Sequence, residues 1–154
     1  MINSISKTGA IFTSRSVIEN INGNVRHVLK SENSNSLEIS EIYFSELRPR
    51  STKAWKFHGK QTQNLSVAAG ETTVVCVKKD TLGLCFDIFE LDCHENHGVL
   101  TIPAGIYYAL LNKSEKPTIL LNATDLIHDP NENSSLPHDF PEFMSFLEDA
   151  GVAK

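Results

Sequence analysis

Lys56 and His58 are the two residues of this sequence whose types and spacing best suit proton chemistry. An imidazole titrates near neutrality, so His58 can take a proton and return it. Lys56 is two residues away, and residues i and i+2 of a β-strand lie on the same face. Its ammonium could therefore stabilise a negatively charged intermediate or contact a diphosphate. The alternatives are a core histidine with a satisfied ring and a solvated strand lysine.

The residues around this pair form two motifs with fixed offsets. The first is Lys56-Phe57-His58, four residues, Gln63, six residues and Gly70. The second is Pro103-Ala104-Gly105, two residues, Tyr108, three residues and Asn112. These offsets resemble the paired motifs of the cupin superfamily, in which three histidines and a glutamate converge on one metal ion inside a β-barrel.

The resemblance places four residues of this chain at the metal-ligand positions, namely Lys56, His58, Gln63 and Tyr108. An ammonium repels a divalent cation, and an amide or a neutral phenol is a weak ligand beside imidazole and carboxylate. We therefore expect no metal, no other cofactor, and a polar pocket in the same place. The alternative is that these four are ordinary strand residues of a jelly roll that has no functional interior.

Longer stretches resemble the sugar-nucleotide branch of the cupins, which contains dTDP-4-dehydrorhamnose 3,5-epimerases and dTDP-4-oxo-6-deoxyhexose 3,4-ketoisomerases. The similarity covers about residues 20 to 135, and it is carried by residues 41–45, 53–58, 63–67, 101–105 and 122–132. It implies metal-free chemistry on a nucleotide-linked 4-keto sugar. A base removes a proton beside the ketone, an enolate forms, and a proton returns from a donor on the other face or to another carbon.

The resemblance also suggests roles for single residues. His58 matches the histidine that the epimerases and ketoisomerases share, so it is the expected base. Gln63 replaces a lysine of the epimerases and brings a hydrogen-bond donor without charge. The tyrosine that the epimerases carry late in the chain has no counterpart in residues 126–130, which leaves Tyr108 and His128 as candidate acids. Tyr108 can equally be a core aromatic, and His128 can simply cap a turn.

The nucleotide contacts are weaker in this sequence than in the epimerases. Their two arginines correspond here to the turn at residues 20–23 and to Trp55, so both cationic contacts are missing. Trp55 could stack on a base, and nearby cations could supply charge, although a surface role is the default for each cation. The candidate substrate contacts are Trp55, Lys60, Gln63, Arg26 and Asn112, the last of which is also expected to hold the turn after its strand.

Composition limits the class of protein. The 154 residues, of which 40% are hydrophobic, suit one domain spanning residues 1–154. A net charge of -5, from 14 Lys+Arg against 19 Asp+Glu, disfavours nucleic acid as a partner. No apolar run approaches the about 18 residues that a membrane span needs, and no secretion signal is evident. We expect a soluble cytoplasmic protein with three reduced cysteines, because Cys76, Cys85 and Cys93 form no CxxC pair.

The elements that must position these residues are mostly strands. Apolar or alternating runs of strand length, separated by Gly, Pro or polar turns, occupy residues 37–47, 64–68, 72–78, 84–91, 99–102, 106–111 and 118–123. Residues 25–29 alternate like an edge strand, and a short helix is predicted over about 141–150. The fold class is therefore all-β: a double-stranded β-helix, or cupin jelly roll, with a short C-terminal helix.

Two functions from different classes fit these observations. The first is an epimerase or ketoisomerase of surface-polysaccharide biosynthesis, and the resemblance implies a homodimer. The second is a non-catalytic module that binds a sugar nucleotide or a carbohydrate, which the missing lysine, tyrosine and arginines favour. A metal-dependent oxygenase is the least favoured possibility because of the four residues at the ligand positions.

Overall fold

Two five-stranded antiparallel sheets face each other in the computed structural model, which describes residues 6–30 and 38–151. The first sheet has the order β1-β9-β6-β11-β4 and the second the order β12-β5-β10-β7-β8; β2 and β3 form a separate pair. The strands are β1 Ile11–Ser14, β2 Val17–Ile18, β3 Val25–Arg26, β4 Glu41–Leu47, β5 Ser51–His58, β6 Gln63–Ala69, β7 Glu71–Asp80, β8 Gly83–Asp92, β9 Gly98–Ile102, β10 Tyr107–Asn112, β11 Thr118–Thr124 and β12 Asn133–Ser135. This is the predicted all-β jelly roll, and the prediction is confirmed.

The space between the sheets is filled by the inward-facing residues of both. Leu65, Leu100 and Leu120 come from the first sheet, and Val74 and Leu110 from the second. Each is at most 1% exposed. Because side chains alternate along a strand, every second residue of these strands is available for the interior.

The outer face of the second sheet forms another core with the C-terminal helix. A 3₁₀ turn, Pro141–Phe143, leads into α1, Met144–Asp149, and Gly151 follows the helix with a positive φ of 93°. A helix of six residues has little stability alone, so its packing on the sheet must hold it. Phe143 and Leu147, which lie at helical spacing in the sequence, are buried in one cluster with Trp55. The described residues contain no helix long and apolar enough to cross a membrane.

Strand β5 lies between the two cores. Its aromatic side chains face one core and its polar side chains face the other. Trp55 and Phe57 face the helix layer, where Phe57 packs on Tyr107 with ring centroids 4.5 Å apart. Lys56 and His58 face the interior. On the facing edge strand β4, Glu41 and Tyr43 also point inward. The interior of the barrel is therefore polar where β4 begins and β5 ends.

Gly98 allows β1 to lie close to β9, where it is paired with Ser14. A Cβ atom at this position would collide with the carbonyl oxygen of Thr13 and stand 2.8 Å from the Phe12 ring. We predict that Gly98→Ala lowers the free energy of unfolding by about 1 to 3 kcal/mol, as overpacking of a tight contact does. Urea unfolding measures this change.

Gly59→Ala is the matched control, because an added Cβ there meets no atom closer than 3.9 Å. Its free energy of unfolding should stay within about 0.5 kcal/mol of the unmodified protein. Equal effects of the two substitutions would show that the β1–β9 contact is not tight.

Candidate active site

A cavity of about 410 Å³ opens between the two sheets where β4 begins and β5 ends. Its volume lies in the range of small-molecule sites. The lining residues are Glu41, Tyr43, Lys56, His58, His128 and Ser135. All six carry a group that can donate or accept a hydrogen bond, so the cavity suits a polar ligand.

The two sides of the cavity come from different sheets. Lys56 and His58 lie on β5 of the second sheet, and Glu41 and Tyr43 lie on β4 of the first. His128 follows β11 of the first sheet, and its backbone N–H donates to the Glu41 carboxylate at 2.9 Å. A ligand in the cavity would therefore contact His58 from one side and Tyr43 and His128 from the other.

His58 is paired with a carboxylate. Its Nδ1 lies 3.2 Å from Oε2 of Glu132, and the two side chains are 9% and 8% exposed. The other oxygen of Glu132 accepts the backbone N–H groups of Lys60 and Gln61. Because a carboxylate only accepts hydrogen bonds, Nδ1 carries the ring proton, and the lone pair is on Nε2. Nε2 has no hydrogen-bond partner within the described part of the chain, so it is the nitrogen that can take a proton.

The charges around His58 favour a neutral imidazole at neutral pH. Burial lowers the pKa of His58, Glu132 raises it in part, and the charges of Lys56 and His128 lower it further. Burial alone would raise the pKa of Glu132, but the two backbone N–H groups and His58 outweigh it, so the net pKa is lowered and the carboxyl is ionised. A neutral imidazole held by a carboxylate is an arrangement suited to a general base.

Lys56 loses its proton more easily than an ordinary lysine. Burial, followed by the neighbouring charge of Lys53, lowers its pKa to about 8. It is still mostly an ammonium at pH 7, so it supplies a positive charge inside a partly closed cavity. In such a place a charge acts more strongly on a developing anion than it does in water.

Tyr108 is a core residue. It is 1% exposed and packs with the interior residues of both sheets. Its ring is nearly parallel to that of His58, at an angle of 20° and a centroid distance of 6.2 Å. Burial raises the pKa of this phenol far above its usual range. Tyr108 does not line the cavity, so it is poorly placed to give a proton to a ligand there.

The four residues at the cupin ligand positions do not fit a divalent metal. His58 is the one imidazole among them, and its Nδ1 is held by Glu132. Gln63 donates its amide to Gln61, and its own carbonyl oxygen is buried without a partner. No cluster of three or more His, Cys, Asp or Glu side chains suited to a metal occurs in residues 6–30 and 38–151. One imidazole, a lysine, an amide and a buried phenol are a poor set of ligands for a divalent metal.

Several expected substrate contacts lie away from the cavity. Trp55 is completely buried beneath Phe143, with ring centroids 5.0 Å apart, so it cannot stack on a nucleotide base. Asn112 is also buried, and its amide donates to the carbonyls of Leu47, Arg48 and Lys116. It holds the turn and does not line the cavity.

The other three expected substrate contacts, Arg26, Gln63 and Lys60, lie at different distances from the cavity lining. Arg26 donates from Nε to the carbonyl of Cys93, which does not line the cavity. Gln63 is buried below the lining residues. Lys60 is exposed and lies two residues beyond His58, next to the Glu132 carboxylate that its backbone N–H binds. Of the five, Lys60 alone is both exposed and adjacent to the cavity.

Four residues of the site were not identified from sequence, namely Glu41, Tyr43, Glu132 and Ser135. Glu41 and Tyr43 alternate with Ile42 and Phe44 along β4, so the sequence places the two on one face of the strand. The alternation alone favours the apolar pair as the inner face, and the structure shows the reverse. Glu132 lies 74 residues from His58 in a loop. Nothing in its neighbourhood in the sequence indicates that contact.

A larger cavity, of about 740 Å³, is lined by Glu71 and Asp92 at strand ends and by loop residues that include Glu95 and Glu115. The carboxylate of Asp92 accepts the backbone N–H groups of His94 and Asn96, so it holds the loop that follows β8. This cavity holds no base that is paired with an orienting group among the described residues. Size alone does not make it the site of chemistry.

No protein-family model matches the chain, and no curated protein matches its sequence. Solved structures do match. A dTDP sugar isomerase from Desulfovibrio desulfuricans G20 is 30% identical with a TM-score of 0.81, covering 86% of this chain and 87% of that one. A mutant 3'-monoepimerase from Streptomyces bikiniensis in complex with dTDP is 13% identical with a TM-score of 0.80, covering 99% and 78%.

A dTDP-4-dehydrorhamnose 3,5-epimerase from Bacillus anthracis str. Ames with TDP and PPi bound is 16% identical, with a TM-score of 0.73, and covers 88% of this chain and 82% of that one. At 13% and 16% identity, the two epimerases show the shared fold. The isomerase is similar in sequence as well, over nearly the whole of both chains.

The contact between His58 and Glu132 makes a prediction about the titration of the imidazole. Replacing the carboxylate in Glu132→Gln removes a negative charge that favours the imidazolium, so the pKa of His58 should fall. NMR titration of the imidazole resonances measures it. Glu46→Gln, on the outer face of β4, is the control and should leave the pKa of His58 unchanged. An unchanged pKa in Glu132→Gln would contradict the pairing.

Proposed function

The chain belongs to the sugar-nucleotide branch of the cupin superfamily, and we propose that it is an epimerase or ketoisomerase of a nucleotide-linked 4-keto-6-deoxy sugar. The observation that carries the proposal is the pair formed by His58 and Glu132 on one side of a polar cavity. A neutral imidazole whose orientation is fixed by a carboxylate is what proton abstraction beside a ketone requires.

In the proposed reaction, Nε2 of His58 takes the proton from the carbon beside the ketone. The electrons of the broken C–H bond move towards the carbonyl oxygen, which becomes an enolate oxygen. Glu132 stabilises the imidazolium that forms and keeps its orientation. Lys56, on the same strand and lining the same cavity, supplies positive charge to the enolate oxygen. The enolate returns to a ketone when a proton is delivered to carbon.

Support for the sugar-nucleotide substrate comes from the matched structures. The 30% identical structure is a dTDP sugar isomerase, and the Streptomyces epimerase was solved with dTDP. We propose a dTDP-linked substrate, and Lys60, an exposed cation two residues beyond His58, as a contact for its diphosphate. We also propose that the reaction takes place in the cytoplasm, in the biosynthesis of bacterial surface polysaccharide.

The second candidate is a binding module without catalysis. It is favoured by the burial of Trp55, which takes away the one aromatic expected at the nucleotide. The two candidates differ in one respect: only an enzyme exchanges the hydrogen beside the ketone with solvent.

Exchange with solvent therefore tests the proposal. In deuterated water, the unmodified protein should incorporate deuterium beside the ketone of a dTDP-4-keto-6-deoxyhexose, and His58→Asn should slow this by about 10² to 10⁴, the usual contribution of a general base. Proton NMR of the sugar follows the reaction. His138→Asn removes an exposed histidine and serves as the control. Thermal stabilisation by dTDP without any exchange would establish the binding module instead.

We also propose that the protein is a homodimer, and the outer face of edge strand β4 supports this. Ile42 and Phe44 are 58% and 66% exposed there, on a strand whose outer edge pairs with no strand of residues 6–30 and 38–151. Large apolar residues on an exposed edge are usually covered by another chain. We predict that Phe44→Lys converts a dimer into a monomer in sedimentation experiments. Leu82→Lys, in the β7–β8 turn, is the control and should remain dimeric. If Phe44→Lys remains a dimer, the outer face of β4 is not the dimer interface.

A further inference from the structure

We propose that Glu41 accepts a hydrogen bond from a ring hydroxyl of the sugar and thereby determines which 4-keto sugars the protein accepts. This inference rests on the proposed function and adds a specificity-determining residue to it. A site built to bind a ligand hydroxyl rejects the analogue that lacks it, because a polar group of the site is then left without a partner. Glu41 has the position and the free acceptor that such a contact needs.

Glu41 differs in chemistry from the other residues that line the cavity. Its carboxylate only accepts hydrogen bonds, whereas Lys56 only donates them. The other four lining residues carry hydroxyl or imidazole groups, which can do both. A 4-keto sugar has the complementary groups, since its ketone oxygen accepts and its ring hydroxyls donate. The cavity therefore offers an acceptor to a hydroxyl as well as a cation to the ketone oxygen.

One carboxylate oxygen of Glu41 is free to bind a ligand. Oε2 accepts the backbone N–H of His128 at 2.9 Å, and none of the described residues bonds Oε1. Lys56, on the other sheet, forms no ion pair with Glu41 among the described contacts. The side chain of Glu41 is half-buried. The negative and the positive charge of the cavity can therefore contact different groups of the sugar.

The carboxylate of Glu132 cannot take this role. Its Oε2 lies 3.2 Å from Nδ1 of His58, and its Oε1 accepts the backbone N–H groups of Lys60 and Gln61. Both oxygens thus have partners within the protein, and Glu132 does not line the cavity. Among the described residues, Glu41 is the carboxylate that a ligand in this cavity can reach.

The backbone at Glu41 is held in place without a ligand. The N–H of Ser40 donates to the carbonyl of Thr124 at 2.8 Å, and the Ser40 hydroxyl donates to the carbonyl of Asp125 at 2.7 Å. Glu41 itself is paired with Thr124 in the ladder between β4 and β11. An acceptor that is already positioned costs little ordering when a ligand binds, so its hydrogen bond contributes more to affinity.

The charge of Glu41 acts inside the cavity. Burial, and after it the charge of Glu41, raises the pKa of Tyr43, which lies two residues away on the same face of β4. A charged acceptor binds a hydroxyl about twice as strongly as a neutral one. The contact with a sugar hydroxyl is therefore strong enough to discriminate between substrates.

Deoxy analogues of the substrate test this contact. Proton NMR in deuterated water measures exchange beside the ketone for a dTDP-4-keto-6-deoxyhexose and for its 2-deoxy and 3-deoxy analogues. The unmodified protein should favour the parent sugar over at least one analogue by about 10- to 100-fold in kcat/KM, which corresponds to one hydrogen bond to a charged group. Glu41→Ala should bring that ratio close to one, because the hydroxyl then has no acceptor to lose.

Glu41→Gln guards against a loss of structure. Its amide oxygen can still accept the backbone N–H of His128, so the loop is kept. The ratio should nevertheless fall, since the acceptor is neutral. Glu46→Ala, on the outer face of the same strand, is the matched control and should show the ratio of the unmodified protein.

The ratio separates recognition of the sugar from support of the loop. If Glu41 only holds His128, its replacement slows exchange of the parent sugar and of the analogues alike, and an unchanged ratio would overturn the inference. Equal kcat/KM for the three sugars in the unmodified protein would overturn it too. In both cases the exchange itself still supports the proposed function. Absence of exchange in the unmodified protein would overturn the proposed function, and this inference with it.

Discussion

The packing of Trp55 beneath Phe143 is the contact on which the site depends. Burying large apolar side chains contributes about 1.5 to 3 kcal/mol each, and an aromatic pair adds about 1 kcal/mol. This outer layer holds β5 in place. It thereby offsets the cost of turning Lys56 and His58 inward, since partly buried polar groups lose contact with water. The C-terminal helix thus supports the cavity from the far side of the sheet.

Gln61 holds in place the loop that completes the cavity. Its backbone N–H donates to Glu132 and its side-chain amide to the carbonyl of Leu126. The two ends of the segment from Leu126 to Glu132, which contains His128, are therefore fixed to one buried residue. A segment anchored at both ends keeps Glu132 against His58 without being part of a sheet, because buried polar groups are costly to leave unpaired.

The apolar runs of the sequence predicted the strands with an apolar inner face, but none of these runs covers β5, which was expected to be a strand only at Lys56 and His58. β5 lacks the usual alternation because Lys56 and His58 occupy its inner positions and a helix about 90 residues later covers its outer face. The same distant contact buries Trp55, which the sequence analysis assigned to a ligand. The i, i+2 spacing predicted that Lys56 and His58 share one face of a strand, and both line the cavity. The pairing of His58 with Glu132 depends on a loop and could not be read from local patterns.

Gln63 explains how a cupin interior can remain ordered with this set of side chains. In the metal-binding cupins that the motif resembles, an ion draws the side chains at these positions together. Here the amide of Gln63 donates to Oε1 of Gln61, and Gln61 in turn holds the loop that carries Glu132. A glutamate at position 63 would have no hydrogen to donate when ionised, and its charge would face an acceptor oxygen. The amide therefore belongs to a hydrogen-bonded network that orients the His58 imidazole through Glu132, by a route independent of any ion.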